Sequence, residues 1–321
     1  MIRAGFIGTG GISPVHLRYL KTRPDVRITA LCDINDENLK KRQAEYGGNA
    51  YHDLHEMLGK EDLDAVWVCT PPQVREEPLV ACARKGIPVF CEKPVERDVD
   101  RGDRIDAQLR KRKAHVQIGY VFRSMPVIER LRKEMADDRI HLVQSLYACD
   151  VSLKNSLPPW FYEKEKSGGA LVDQATHNLD LLRMLMGEVR TVRGFAANPV
   201  HRKKKGYTIE EVFALSFLFE NGSAGSHVHT WVGDTWRNEI LLSGEKRVYR
   251  LNTGNNSLTV DDGNDRRIFG QDGGQNYEHQ NKRFLAMVGS GNWSDNPSDY
   301  HDGLLTLKLT ALCDAAVTKP A

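Results

Sequence analysis

Two short stretches of this 321-residue chain carry side chains able to move a proton or hold a developing charge. In Gly168-Gly169-Ala170-Leu171-Val172-Asp173-Gln174-Ala175-Thr176-His177-Asn178-Leu179-Asp180, Asp173 and His177 stand at i and i+4. Leu171, Leu179, Leu182 and Met186 mark the buried side of a helix, on which residues four apart share a face. A carboxylate beside an imidazole favours the charged ring and orients it, so the pair has the make-up of a general base. The same spacing also suits a helix-stabilising pair or half of a zinc site. No cysteine or histidine at ligand spacing stands nearby, and no metal is expected. The second stretch is Glu92-Lys93-Pro94. Lys93 could donate a cationic hydrogen bond to a substrate hydroxyl, with Pro94 stiffening the turn; a surface lysine before a proline turn is the alternative.

A third feature precedes both. Ile2-Arg3-Ala4-Gly5-Phe6-Ile7 reads as a buried strand and runs into Gly8-Thr9-Gly10-Gly11-Ile12-Ser13. A helical pattern follows from Pro14 to Leu20, then an apolar strand, Val26 to Cys32, that ends on Asp33. Strand, glycine turn, helix, strand and acid are the ordered parts of a dinucleotide-binding βαβ unit. Gly8 permits the tight turn, and Gly10 lets the backbone approach a pyrophosphate whose charge sits at the helix N-terminus. Gly11 and Ile12 complete the turn, and Ser13 takes the place of the third glycine. Asp33, 25 residues after Gly8, can accept both ribose hydroxyls and would repel a 2′-phosphate, which favours NAD over NADP.

The elements that must position these residues alternate strand and helix as far as His115–Ile118. Such alternation predicts a parallel sheet covered on both faces, with ligands at the carboxyl ends of its strands. Gly8–Ser13, Asp33, Thr70-Pro71-Pro72 and Glu92–Pro94 all fall at such ends. Beyond about residue 120 one helix (125–135) leads into a strand (140–151) and a long helix (169–186). Strands at 189–197, 209–220, 223–232, 238–243 and 247–251 follow, then Gly- and Asn-rich turns over 254–274 and two closing helices. The expected fold is therefore α/β: a doubly wound parallel sheet over residues 1–120, and over 121–321 an α+β domain with a large, open, mostly antiparallel sheet. Phe213, Leu215, Phe217 and Phe219 alternate with Ala214, Ser216 and Leu218, so one sheet face is strongly apolar. The two closing helices could cover one side only, and the other is a candidate subunit interface.

Gly8-Thr9-Gly10-Gly11-Ile12-Ser13, Cys91-Glu92-Lys93-Pro94 and the Gly169–Asp180 segment stand in an order that resembles the family of glucose-fructose oxidoreductase, inositol dehydrogenase and rhizopine-catabolism oxidoreductases. Gly119-Tyr120-Val121-Phe122-Arg123 and Asp302-Gly303-Leu304-Leu305 are similar to further segments of it. The resemblance implies a Rossmann domain and a nicotinamide-dependent dehydrogenase acting on a sugar or cyclic polyol. Lys93 matches the lysine that contacts substrate and nicotinamide; Asp173 and His177 match the catalytic pair. The chain departs from the pattern after the Thr70-Pro71 loop, where Val74-Arg75 stands in the region of a frequent histidine.

These readings give an expected NAD set of Gly8, Gly10, Gly11, Ile12, Asp33, Thr70, Pro71, Glu92 and Lys93. The expected substrate set is Lys93, Tyr120, Arg123, Trp160, Asp173, His177 and His229, with Trp231 as either a contact or core. A sensor that binds dinucleotide without catalysis would have no need of Lys93, Asp173 and His177 together. A hydrolase or epimerase using NAD transiently would release no net NADH. Formal net charge is +2, which offers nothing to nucleic acid, and His201-Arg202-Lys203-Lys204-Lys205 reads as a solvated loop tip. No stretch approaches a membrane span. Six scattered cysteines and an N-terminus that starts inside a strand fit reduced thiols in a cytoplasmic protein that forms a homodimer or homotetramer.

Overall fold

The computed structural model describes residues 1–153, 158–270 and 276–319 in two compact units. The first comprises Met1–Ser124 and Asn276–Leu305, the second Met125–Gln275 and Thr306–Ala321. A single boundary at 120/121 thus meets the first crossing within a few residues. It misses the return of residues 276–305 to the first unit.

In the first unit β1 (Ile2–Ile7), β2 (Val26–Cys32), β3 (Asn49–Tyr51), β4 (Ala65–Val68), β5 (Val89–Cys91) and β6 (Val116–Ile118) form one sheet in the order β3-β2-β1-β4-β5-β6. Every pair is parallel. Helices α1 (Ser13–Lys21), α2 (Asp36–Tyr46), α3 (Leu54–Lys60), α4 (Glu76–Arg84) and α5 (Val99–Lys111) make the crossovers. This is the Rossmann strand order, and its direction reverses at β1 and β4, where such sheets bind ligands. Local chemistry sets the helix starts: Asn35, Asp53 and Asp98 each accept an N-terminal N–H of α2, α3 and α5. Phe6 stacks on Trp67 at 5.4 Å, and Phe284 meets Trp67 edge-on at 5.0 Å. Phe284, Leu285 and Met287 belong to the helix Asn276–Ser290 and to this core. That buried apolar face returns the segment to the first unit instead of covering the second sheet.

The second unit runs from α6 (Pro126–Met135) through β7 (Ile140–Ala148), a short helical turn α7 (Lys164–Ser167) and α8 (Thr176–Met186) into β8 (Val189–Ala197), β9 (Val212–Phe219), β10 (Ala224–Thr230), β11 (Arg237–Gly244), β12 (Val248–Asn252), β13 (Ser257–Asp261) and β14 (Arg266–Gly270). With α9 naming Asn276–Ser290, the chain closes with α10 (Tyr300–Ala316) and β15 (Val317–Thr318). The nine-stranded sheet has the order β14-β13-β12-β11-β7-β10-β9-β8-β15. It is antiparallel except where β10 meets β7 and β15 meets β8. β13 and β14 occupy the region read as turns; residues 271–274 of that region lie outside the described residues.

Register decides the two faces. Phe213, His229, Tyr147 and Asn238 stand in one buried row across β9, β10, β7 and β11, with Leu215, His227, Ser145 and Ile240 in the next. The opposite face carries Phe195, Ala214, Val228 and Leu146 in a single row. There Phe195 is 68% and Val228 40% exposed. Among the described residues no helix is long and apolar enough to cross a membrane. All six cysteines are free and buried.

Candidate functional site

In the first unit the glycine turn follows from close packing. Gly8 has φ +90°, and a Cβ there would lie 2.8 Å from backbone atoms of Cys69 and Thr70. No side chain fits where the turn passes the end of β4. At Gly10 and Gly11 a Cβ would meet nothing within 4 Å, so the backbone borders open space. Ser13 closes the turn by donating its hydroxyl to the Gly10 carbonyl at 2.9 Å. The following helix is uncapped: Ile12 supplies no side-chain acceptor, and the first turn holds no acidic residue. Its orphan N–H groups and positive dipole end suit an anion. These features fit the pyrophosphate of a dinucleotide.

Asp33 is tied to the turn more closely than its spacing implied. Its Oδ2 accepts the Thr9 N–H at 2.6 Å and the Thr9 hydroxyl at 2.9 Å, while Oδ1 accepts the Asn35 N–H at 2.8 Å. A carboxylate has about four acceptor positions, so about one remains for a ribose hydroxyl. The expectation that it takes both requires one internal bond to be shared or released.

Lys93 is half-buried at the end of β5, in a loop braced from two sides. Arg75, 3% exposed, donates from its guanidinium to the carbonyls of Thr70 (2.8 Å from Nη2), Lys93 (3.3 Å), Glu92 and Pro94. It therefore binds the Thr70-Pro71 loop to the Lys93 loop. In the sequence Arg75 is only a departure from the family pattern; its partners are main-chain carbonyls, which leave no side-chain pattern. Glu92, expected among the cofactor contacts, is 4% exposed and turned inward. Its carboxylate accepts His16 Nε2 at 3.0 Å and the Lys93 N–H at 3.1 Å. Burial alone would raise its pKa, but the His16 bond and the charges of Lys93 and Arg75 outweigh it and hold the carboxyl low. Thr70 keeps a buried hydroxyl oxygen with no hydrogen-bond partner, beside an exposed Pro71.

Two expected sugar contacts belong to the interior of the first unit. Tyr120 is 2% exposed. Arg123, 7% exposed, pairs with Asp302 at 2.5 Å and donates to the Pro297 carbonyl at 2.7 Å. Its cation joins the chain to the start of α10.

In the second unit Gly168 and Gly169, with φ +82° and +74°, turn the chain into the motif helix. A Cβ on Gly168 would press on Val172 at 2.8 Å. The helix opens with a π turn over Leu171–Ala175 before α8, a form common at functional sites. Asp173 lies in that turn and His177 in α8, so their i,i+4 relation departs from the regular helical stacking expected. Both are half-buried. The helix is seated by polar contacts: Asn178 donates to Ser145 Oγ at 2.8 Å and exchanges amide bonds with Asn238 at 2.9 and 3.0 Å. Asp180 accepts the Thr306 hydroxyl at 3.0 Å and is structural.

Gln174, unremarked in the sequence, accepts both the Trp231 indole N–H and the Cys149 thiol (3.2 Å). Burial pushes the Cys149 pKa up to about 11. Trp231 is fully buried and is core. His229, expected at the substrate, is 0% exposed and packs edge-on to Tyr147 at 5.1 Å; its place on the inner sheet face removes it from the contact set. Trp160 remains 43% exposed, its ring 4.0 Å from that of Phe161 and tilted to it by 33°. Among the described residues no group of three His, Cys, Asp or Glu side chains is arranged to hold a metal.

A Rossmann unit with an uncapped helix behind open glycines, followed by a large mixed sheet, defines a two-domain, NAD-binding oxidoreductase architecture. A family model described as the oxidoreductase family with NAD-binding Rossmann fold matches residues 2–120, and the C-terminal domain model of the same family matches 131–250. The chain belongs to the Gfo/Idh/MocA oxidoreductase family. It is 28% identical over 230 residues to the uncharacterized oxidoreductase YrbE of Bacillus subtilis, covering 69% of this chain and 65% of that protein. It is 29% identical over 188 residues to a myo-inositol 2-dehydrogenase of Thermotoga maritima, covering 58% and 55%. The matched stretches thus span between 55% and 65% of these relatives' length. An oxidoreductase domain protein from Kribbella flavida superimposes with a TM-score of 0.88 at 21% identity, covering 98% of this chain and 96% of that one, and shares the fold.

Proposed function

We propose that the protein is an NAD-dependent dehydrogenase that moves a hydride between a CH–OH group of a sugar or cyclic polyol and the nicotinamide. The observation that carries this reading is the bracing of Lys93. Arg75 fixes its loop through buried bonds to the Glu92 and Pro94 carbonyls and Glu92 through a partly buried one to the Lys93 N–H, an expense of structure that a surface lysine would not need. The name of the Thermotoga relative, a myo-inositol dehydrogenase, supports the substrate class.

The roles follow from the chemistry of the groups. A ring hydroxyl is a weak acid, so its oxidation needs a base for the proton and a cation for the developing alkoxide. His177 removes the proton, Asp173 orients and stabilises the resulting imidazolium, and Lys93 donates to the oxygen. Bound NAD supplies the hydride acceptor. The N-terminus of α1 and the Gly10–Gly11 backbone hold the pyrophosphate, and Asp33 selects the unphosphorylated ribose by hydrogen bonding and by repulsion of a 2′-phosphate. The exposed sheet row of Phe195, Ala214, Val228 and Leu146 is the proposed contact between copies of the chain, since an apolar sheet face is a typical association surface. A screen of sugars and cyclic polyols with NAD, following NADH absorbance, tests the activity. A chain that binds NAD and oxidises none of them would be a sensor instead.

A further inference from the structure

His16 lies one turn into α1, the helix whose N-terminus faces the expected pyrophosphate, and is 0% exposed. Its ring packs against Phe90 at 4.9 Å and Tyr277 at 6.1 Å. Nε2 meets Glu92 Oε1 at 3.0 Å, and an ionised carboxylate only accepts, so Nε2 must carry a proton. Nδ1 faces the Asn281 side chain, 3.1 Å from Oδ1 and 3.0 Å from Nδ2. Trp67 Nε1, which only donates, fixes the amide orientation by bonding Oδ1 at 2.9 Å, and Nδ2 donates to the Tyr277 carbonyl at 2.7 Å. A second Nδ2 hydrogen remains for a bare Nδ1. In its neutral form the His16 ring therefore keeps its proton on Nε2, aimed at Glu92.

Glu92 passes this constraint on. With Oε1 held by His16, Oε2 accepts the backbone N–H of Lys93 at 3.1 Å. Gly119 leaves the carboxylate its space: a Cβ there would lie 3.0 Å from Oε1 and 3.3 Å from Oε2. The series Trp67, Asn281, His16, Glu92 and Lys93 N–H thus runs through the first unit by directed hydrogen bonds. It connects the dinucleotide helix to the loop that presents the proposed catalytic cation.

We infer that His16 is a positioning residue for Lys93, acting through Glu92, and that α1 and the Lys93 loop are held in one register by this pair; the catalytic consequence rests on the dehydrogenase reading above. Three readouts separate the possibilities. Nitrogen-15 NMR of histidine-labelled protein, with the His16 signal assigned by its loss in His16→Gln, should show the Nε2–H tautomer for the neutral ring. Hydrogen exchange in peptides covering residues 92–95 should be faster by about tenfold or more in His16→Leu and in Gly119→Ala, because the Lys93 N–H loses its acceptor. His16→Gln, whose amide nitrogen can replace Nε2 as a donor, should stay close to wild type. Affinity for NAD should change by no more than about twofold, while kcat on an oxidised polyol falls by about 10² in the Leu variant, the scale of a misplaced catalytic group.

An Nδ1–H tautomer would overturn the inference, as would unchanged exchange in both His16→Leu and Gly119→Ala. The Gly119 variant leaves His16 intact, and the NMR arm uses the native protein, so a folding failure of one variant does not remove the test. Faster exchange in a protein that oxidises no sugar or polyol would retire the dehydrogenase reading and leave the positioning of Lys93 standing.

Discussion

Replacing His229 with Phe should make the second unit more resistant to acid, by an amount the structure sets. His229 is fully buried, with neither ring nitrogen hydrogen-bonded. Burial, reinforced by neighbouring His227, holds its pKa well below the ordinary 6.5, and burial pushes His227 down to about 3. Ser145 Oγ, which accepts from Asn178, also meets His227 Nδ1 at 3.0 Å, and burial keeps that ring neutral as well. When a buried base has a depressed pKa, the unfolded chain binds protons first as pH falls. Stability is then complete above the unfolded value near 6.5 and is lost on the way down toward the folded one. At pH 5 the unfolded chain lies about 1.5 units below its histidine pKa, which costs the folded state about 2 kcal/mol for His229. At pH 7.5 the cost is about 0.1 kcal/mol or less. Phe fits an environment of Tyr147 and Phe213 rings and discards two unsatisfied nitrogens. Urea unfolding of wild type and His229→Phe at both pH values isolates the effect from other titrating groups. With an m-value of about 2 kcal/mol/M, the wild-type midpoint should fall by roughly 1 M more than that of the variant. Equal falls would mean that His229 is protonated or solvated in the native state, and would refute the burial argument.

Titration of both cofactors by fluorescence should show tighter binding of NAD than of NADP, with the gap closing in Asp33→Asn; tighter NADP binding by the wild type would remove Asp33 from the selection. Gly10→Val should abolish NAD binding by filling the space a pyrophosphate needs, while the fold, read by circular dichroism, persists because a Cβ there meets nothing. Lys93→Ala should keep NAD bound and lower kcat, since the cation matters most as alkoxide character develops. Light scattering should give a mass above the 36.2 kDa of one chain, and Phe195→Glu with Val228→Glu should return it to that value.

The Rossmann half was legible because its signals are local. An apolar strand, a glycine turn and an acid at the next strand end are consecutive, and Val26–Cys32 is a strand with those bounds. Asp53, of a residue type that caps helices, accepts the Glu56 N–H at the start of α3 at 2.7 Å. What escaped depends on distant partners. β10 reads Ala-Gly-Ser-His-Val-His-Thr, and its histidines face inward while Val228 faces out. Polarity alone therefore placed His229 at the substrate; register with Ser145 and Tyr147 placed it inside. β13 and β14 escaped because Asn- and Gly-rich turns flank two strands of only five residues each, which cross-strand pairing sustains. Phe284 and Leu285 mark α9 as buried without telling which sheet buries them, so chain order misassigned the helix. Arg75 and His16 act on a main-chain carbonyl cluster and on a carboxylate 76 residues away, neither of which leaves a local pattern.

In the proposed reaction NAD oxidises a carbon-bound hydroxyl with Asp173, His177 and Lys93 as the protein groups that assist it. Its most direct test is NADH formation by wild type and His177→Ala across the same set of cyclic polyols and sugars, with NAD affinity measured in parallel. The wild type should form NADH from at least one of them, and the variant should lose roughly 10² to 10⁴ in kcat with little change in NAD binding. Undiminished turnover by His177→Ala would contradict the proposed reaction.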